Sequence, residues 1–374
     1  MMKLSVKFII LLLTCLFSMV IGVSTILSQG KPSALRLRQP IDTVGFASHA
    51  WQMDSVMSRI PQLNRHVQGM SFNYSGAGSP AFQKAAICPH DDYIYAGWLY
   101  PEVLKNIHAN IIILFGVAHK AKKFNVENRL VFDTFDEWKE PYGNITVSDL
   151  REEIMKTLPV ESYLVHDSLQ QAEHSVEASI PFLQYYNRKI RIISILVPYM
   201  SYEKMNQLSD QLASGIRKVL KAKGLKWGRD VAFVMSTDAV HYGDEDWGGS
   251  NYAFYGCDDK GFNAAKEHEM EIIDQSLCGT MGLEKARKFT QFTLREEDYK
   301  SYKWTWCGRY SVPFGLLTIM KMQAAASGKP LQGLFIGYGT SLDEPRLKVS
   351  DIGMGKTAGA TMHHWVGYAG ISYY

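Results

Sequence analysis

The sequence predicts an α/β protein: a three-layer α/β/α sandwich with a central mostly parallel or mixed sheet, in a single domain. Three observations lead there. Short, largely apolar runs recur at Lys84–Cys88, Ile111–Phe115, Ile190–Val197 and Val231–Met235, as in strands covered on both faces. Between them lie longer segments with apolar residues at helical spacing. Strands alternating with helices build a sheet with helices on either side.

Trp51–Val67 carries Met53, Val56, Met57 and Ile60 at helical spacing, interrupted by Pro61. Ser75–Pro80 is a Gly/Ser/Pro loop before the first strand. Ala96–Ala109 reads as a helix ahead of the strand at Ile111. Phe124–Asp133 reads as a strand, Pro141-Tyr-Gly-Asn144 as a turn, and Thr146 or Ser148 as the cap of a helix through Leu158. A short apolar helix, Ala178–Tyr186, precedes the strand Ile190–Val197. Ser201 caps an amphipathic helix reaching Lys223, with basic residues in its last turns as the helix dipole favours. Helices are expected at Asn263–Ser276, Leu283–Thr290 and Phe314–Ala326, and a strand at Leu331–Tyr338. The Gly-, Ala- and aromatic-rich tail from Gly355 to Tyr374 is expected to pair at the sheet edge. No internal repeat or second domain boundary is visible.

The chain has 374 residues, 46% hydrophobic and 21% charged, with a formal charge of +3. Its first 41 residues hold Lys3, Lys7, Lys31, Arg36 and Arg38 and no acid. The remainder sets 35 basic residues against 37 acidic ones, which excludes the basic footprint of a nucleic-acid binder. Lys3 and Lys7 precede an apolar run from Phe8 to Leu27, the pattern of an export signal. That run is also long enough to span a bilayer. Residues 1–30 therefore read as a signal peptide or an N-terminal membrane anchor, 31–40 as a linker, and 41–374 as the α/β domain. The protein is expected to be exported, periplasmic or extracytoplasmic, touching a membrane only through its N-terminal segment. Of five cysteines, Cys15 goes with the leader. Cys88, Cys257, Cys278 and Cys307 show no CxxC spacing, and Cys257 and Cys278 are open to pairing. Asn73-Tyr-Ser and Asn144-Ile-Thr fit the glycosylation sequon.

The chemistry gathers where strands end. Ala86–Tyr95 delivers His90 beyond the first strand. Ile111–Phe115 runs into Gly-Val-Ala-His119, with Gly116 allowing a sharp exit. Val231–Met235 runs into Ser-Thr-Asp238-Ala-Val-His241, one tight loop. In α/β sheets ligands bind just beyond the carboxyl ends of strands, so these groups are expected to share a pocket. Cys307 precedes a helix start, where the dipole and amide groups favour thiolate. Two imidazoles, an anionic ligand and open positions make a catalytic metal site.

Five ordered motifs then carry a resemblance. Pro89-His90-Asp-Asp-Tyr-Ile-Tyr-Ala-Gly97, Gly116-Val-Ala-His119, Glu173-His-Ser-Val-Glu177, Ser236-Thr-Asp-Ala-Val-His-Tyr-Gly243 and Cys307-Gly-Arg309 together resemble the Memo family, including the proteins named AmmeMemoRadiSam system protein B. Gln39–Phe46 resembles that family's opening segment, and Met354–Ala358 with Trp365–Ala369 its closing one. The resemblance spans residues 37–374. It implies a fold related to class III extradiol dioxygenases, non-haem iron enzymes that open catechol rings. By motif it implies His90, His119 and Cys307 as metal ligands, holding iron or copper, with zinc compatible. Asp238 and His241 would line the same pocket, with His241 as acid/base, and His174 would help line it. A soft thiolate in place of a carboxylate suits copper(I) or zinc as well as iron. Radical-SAM and AMME-type proteins are implied as partners.

The chain departs from the family where Asp91-Asp92-Tyr93 replaces Ala-Gly-Tyr. These carboxylates are read as imidazole partners, as attraction for a hard cation, or as water-facing residues. Cys88 reads as a core thiol. Trp304 and Trp306 read as pocket wall or core. His174 reads as pocket lining, or Ser175 as a helix cap. Arg295–Lys303 reads as a solvated face. Three functions follow. One is a metal-dependent redox enzyme acting on a small molecule. Another is a non-catalytic metal-binding or partner-binding module. The last is a metal-free cysteine hydrolase in which His241 or His174 activates Cys307.

Overall fold

Alternate side chains of the apolar runs face opposite ways, as strand geometry requires. Ile111, Ile113 and Phe115 enter one core with Ile193, Phe233 and Met235. Ile112 and Leu114 enter another with Ile192, Ala232 and Val234. Burial on both faces explains why these strands lack polar alternation. Each buried aliphatic side chain stabilises the fold by roughly 1.5–3 kcal/mol.

The computed structural model describes residues 35–63, 82–326 and 329–374. The expected leader, the first part of the linker, the Asn73 sequon, the loop Ser75–Pro80 and the end of the Trp51–Val67 helix lie outside them. The strands are β1 Leu37–Arg38, β2 Ala85–Cys88, β3 Ile111–Val117, β4 Leu130–Phe132 and β5 Glu137–Trp138. Next come β6 Ile145–Val147, β7 Tyr163–Val165, β8 Arg191–Val197 and β9 Val231–Ser236. The last are β10 His241–Gly243, β11 Gly279–Thr280, β12 Gln332–Thr340 and β13 His364–Tyr373. They form one mixed 13-stranded open sheet whose main path runs β1-β5-β6-β8-β3-β9-β2-β13-β12-β11. The stretch β6-β8-β3-β9-β2 is parallel throughout, whereas β13 runs antiparallel to β2, and β12 antiparallel to β13. Residues 37–374 are a single compact unit.

Helices cover both faces. On the first side lie α7 Tyr202–Lys223, α8 Asp259–Ile272, α9 Leu283–Thr293 and α10 Ser311–Ala326. On the other lie α1 Ala50–Arg59, α2 Tyr93–Ala96, α3 Leu99–Leu104 and α6 Ile180–Tyr186. Two short helices, α4 Leu150–Met155 and α5 Asp167–Gln171, complete the set. Among the described residues no helix is long and apolar enough to cross a membrane.

Ser201 caps α7 as expected, accepting from the Lys204 N–H, and Gly224 closes it in the left-handed region. Other expectations change. Thr146 lies in β6, whereas Ser148 caps α4: its Oγ accepts from Leu150 N–H at 3.4 Å and its carbonyl from Arg151 N–H at 2.9 Å, and the helix stops at Met155. The helix expected at Ala96–Ala109 is two short ones ending at Leu104, and the strand expected at Phe124–Asp133 shrinks to Leu130–Phe132. The tail is not an edge, because β13 sits between β2 and β12. Part of the expected linker belongs to the sheet: β1 pairs with β5, and buried Arg38 bonds Glu177. Cys257 and Cys278 are free thiols, so the pairing left open is not made.

Candidate metal centre

Parallel β2, β3 and β9 end side by side, which sets Pro89-His90, Ala118-His119 and Thr237-Asp238 around one spot. Cys307 arrives from the loop before α10. One ligand atom from each of His90, His119 and Cys307 lies within 4.8 Å of the others. The groups Asp238/His241/Cys307 and His119/Glu173/His174 meet the same limit, so they overlap the first. All six side chains singled out in the sequence therefore converge. The pocket above them holds about 390 Å3 and is lined by His90, His119, His174, Asp238 and His241 with Phe46, Tyr95, Lys120, Trp247 and His364. Cys307 is buried beside these side chains, with Sγ 3.5 Å from His90 Nε2.

Hydrogen bonds aim the two imidazoles. Ser236 Oγ donates its only proton to the Ser175 carbonyl. It must therefore accept at 2.8 Å from His90 Nδ1–H, leaving Nε2 with a bare lone pair. The Glu173 carboxylate accepts from His119 Nδ1 at 2.8 Å and from His119 N–H at 2.7 Å. That partner fixes the Nδ1–H tautomer and leaves the His119 Nε2 lone pair available. Burial would raise the Glu173 carboxyl, but the His119 charge and hydrogen bond, with His174, draw it down to about 2. Gly116 serves closeness rather than a sharp exit. It lies within β3, and a Cβ there would sit 2.6 Å from Val176 Cγ1 and 2.7 Å from Leu196 Cδ2.

Burial, then neighbouring imidazoles, push His90 well below the usual histidine range. The same causes bring His174 to about 4 and His241 to about 3. The rings are therefore neutral at physiological pH, the form that binds metal. His241 Nε2 and His174 Nδ1 are buried without a hydrogen-bond partner. His241 begins β10 rather than sharing the Asp238 loop, and its ring leans on Trp247 at 5.1 Å. Buried Asp238 accepts from the His90 N–H at 2.9 Å, and its other oxygen is 3.3 Å from His90 Nε2. Burial and Asp91 raise its carboxyl strongly.

The thiolate expectation for Cys307 changes. Asp238 N–H does donate to Sγ at 3.1 Å, but α10 begins four residues later, at Ser311. Burial, followed by the Asp238 carboxylate, pushes the thiol well up. Without a cation Cys307 stays a thiol, which argues against the metal-free hydrolase; a coordinating ion would deprotonate it.

Asp91 and Asp92 both line the pocket, Asp92 buried and Asp91 partly so, and their hydrogen bonds go to the tail rather than to an imidazole. Asp91 accepts from Tyr368 Oη at 2.5 Å, and Asp92 from Thr357 N–H at 2.5 Å and Oγ1 at 3.0 Å. They tie the first motif to the tail. Cys88 is a core thiol. Trp304 and Trp306 are core too, both donating to buried Glu269, at 2.6 and 2.7 Å. His174 lines the pocket, while Ser175 donates to Val117 O at 2.9 Å. The roles of Ser236 and Glu173 escaped sequence reasoning, although both stand inside the quoted motifs.

The profile of the family described as Memo-like protein matches residues 59–355. A MEMO1 family protein of Pyrococcus abyssi is 26% identical over 250 residues, covering 64% of this chain and 76% of that one. One from Aquifex aeolicus is 32% identical over 164 residues, covering 42% of this chain and 54% of its own. One from Methanothermobacter thermautotrophicus is 27% identical over 176 residues, 45% of this chain and 58% of its own. The chain thus spans little more than half the length of the latter two. The crystal structure of an uncharacterized Escherichia coli K12 protein superposes with a TM-score of 0.39 at 13% identity, over 76% of this chain and 99% of that one. At that score it carries no argument.

Proposed function

This chain belongs to the Memo-like protein family, and from that premise we propose that its pocket holds one redox-active metal ion and acts as an oxidoreductase centre. His90 Nε2, His119 Nε2 and Cys307 Sγ are the ligands. The observation that carries this reading is the pair of histidine tautomers. Ser236 and Glu173 each occupy an Nδ1, so both Nε2 lone pairs are left for an ion beside a buried sulfur. Three ligands of this softness suit iron or copper, with zinc as the redox-inert alternative. The ion supplies Lewis acidity and electron transfer.

The chain's own residues do the rest. Glu173 and Ser236 orient the imidazoles. Asp238 anchors the His90 backbone and donates its N–H to the sulfur. His241, neutral and with an unpartnered Nε2, accepts a proton from a bound substrate, and His174 faces the same space. Phe46, Tyr95 and Trp247 give the pocket aromatic walls suited to a small planar substrate with acidic hydroxyls.

Elemental analysis of protein purified without oxygen tests the metal. Wild type is expected to carry about one pocket ion per chain, and His119→Ala and Cys307→Ser to lose it. Ion content undiminished in either would remove the reading. Oxygen consumption with catechols and small phenols tests turnover, expected to vanish in His241→Ala. Tight binding with no turnover would instead mark a metal-binding module.

A further inference from the structure

A second set of metal-binding side chains lies at the pocket rim. β10 pairs with β13 so that Gly243 faces His364. Gly243 has φ +124°, and a Cβ there would sit 1.9 Å from the His363 carbonyl oxygen. The crossing of these strand ends sets Asp244 beside His363, and Glu245 N–H donates to His363 O at 3.1 Å. The Tyr242 hydroxyl donates to Gly256 O at 3.0 Å and accepts from Tyr255 N–H at 2.7 Å. That clamp holds the next residue, Cys257, in the same corner. His363 Nδ1 is 2.7 Å from Asp244 Oδ1, and the Cys257 thiol donates to the same oxygen at 3.2 Å. Sulfur, imidazole nitrogen and carboxylate oxygen all fall within 4.8 Å of one another. A surface His–Asp pair is commonplace. A cysteine brought to that pair from a third segment, with each segment pinned by backbone contacts, is not.

We propose that Asp244, Cys257 and His363 form a second metal site, taking a borderline-soft divalent ion of the zinc class with solvent in the fourth position. One sulfur, one nitrogen and one oxygen are the donors such an ion accepts. Binding breaks the Cys257 S–H bond and forms a metal–sulfur bond, the proton passing to solvent. His363 supplies Nδ1 as its Nε2–H tautomer, giving up the Nδ1–H contact to Asp244, and Asp244 remains a carboxylate. Trp247, which lines the pocket, stacks on His364 at 4.1 Å. An ion joining Asp244 to His363 therefore fastens that wall. The site does not depend on what the pocket holds.

Cobalt(II) serves as the probe, read by its thiolate charge-transfer absorption and by proton release. In Cys307→Ser, the full chain stripped of metal is expected to take up cobalt with a sulfur band and about one proton released per ion. The band is expected to disappear in Cys257→Ser/Cys307→Ser and to weaken sharply in Asp244→Asn/Cys307→Ser. Cys257→Ser alone is expected to keep the band arising from Cys307. No sulfur band in Cys307→Ser, or a band that survives in the double variant, would overturn the proposal. Loss of the band in Cys257→Ser alone would count against the pocket reading instead.

Discussion

The pocket and the rim offer the same kinds of ligand, yet they are built differently. In the pocket His90 and His119 each spend Nδ1 on an outside partner, Ser236 or Glu173, and turn Nε2 towards the shared cluster. At the rim the donors spend themselves on one another, because Asp244 Oδ1 takes both the His363 contact and the Cys257 thiol. The His90 side chain in the pocket is 2% exposed, whereas the His363 side chain at the rim is 48% exposed. Holding donors together is thus separable from readying them. The pocket is preorganised and pays for it with buried, pKa-shifted groups. The rim must first give up its internal hydrogen bonds, so it is expected to bind an ion more weakly and exchange it faster.

The sharpest way to break this contrast is Cys307→Ser. It is expected to reduce pocket occupancy to below about one tenth in a His363→Ala background, measured by elemental analysis. Gly243→Ala attacks the other region. Its φ and the His363 carbonyl forbid a Cβ, so a cost of about 1–3 kcal/mol is expected in urea unfolding, with rim binding lost and the pocket ion kept. Glu173→Gln should weaken the pocket ion about 10- to 100-fold without removing it, read by competition with a chelator.

Glu173 also sets a pH dependence. Its folded value, about 2, lies below the ordinary 4.5. It therefore contributes stability that is fully present above pH 4.5 and is lost as pH falls towards 2. Urea unfolding across that window should show a shallower acid loss in Glu173→Gln than in wild type. Cys257→Ser carries the smallest effect. Stability should shift by no more than about 0.5 kcal/mol, because the rim side chains cluster at the surface.

Much of the pocket was legible because its candidate ligands sit where apolar runs stop. A strand's apolar run marks its own end, and parallel strands stop together, so His90, His119 and Asp238 declared themselves one at a time. What was hidden depends on pairings between distant segments. Ser236 and Glu173 are ordinary in their own stretches, and only the approach of the 173–176 turn to β3, permitted by Gly116, turns them into imidazole partners. Asp91 and Asp92 look unpartnered until Tyr368 and Thr357 arrive from the tail to bond them. The tail misled for the same reason, since nothing local says that β13 inserts between β2 and β12. Cys307 does lie beside His90 and His119, but its expected thiolate changes, because desolvation outweighs a helix dipole that begins four residues away. The rim was invisible, since Asp244, Cys257 and His363 belong to no shared motif.

X-ray absorption at the metal edge of anaerobically loaded Cys257→Ser protein tests the central claim most directly, since the rim thiol is then gone. One sulfur and at least two imidazole nitrogens about the ion, with the ion and its sulfur neighbour both lost in Cys257→Ser/Cys307→Ser, is the predicted result. An ion fully bound with no sulfur neighbour, or with a sulfur that survives the loss of Cys307, would contradict it.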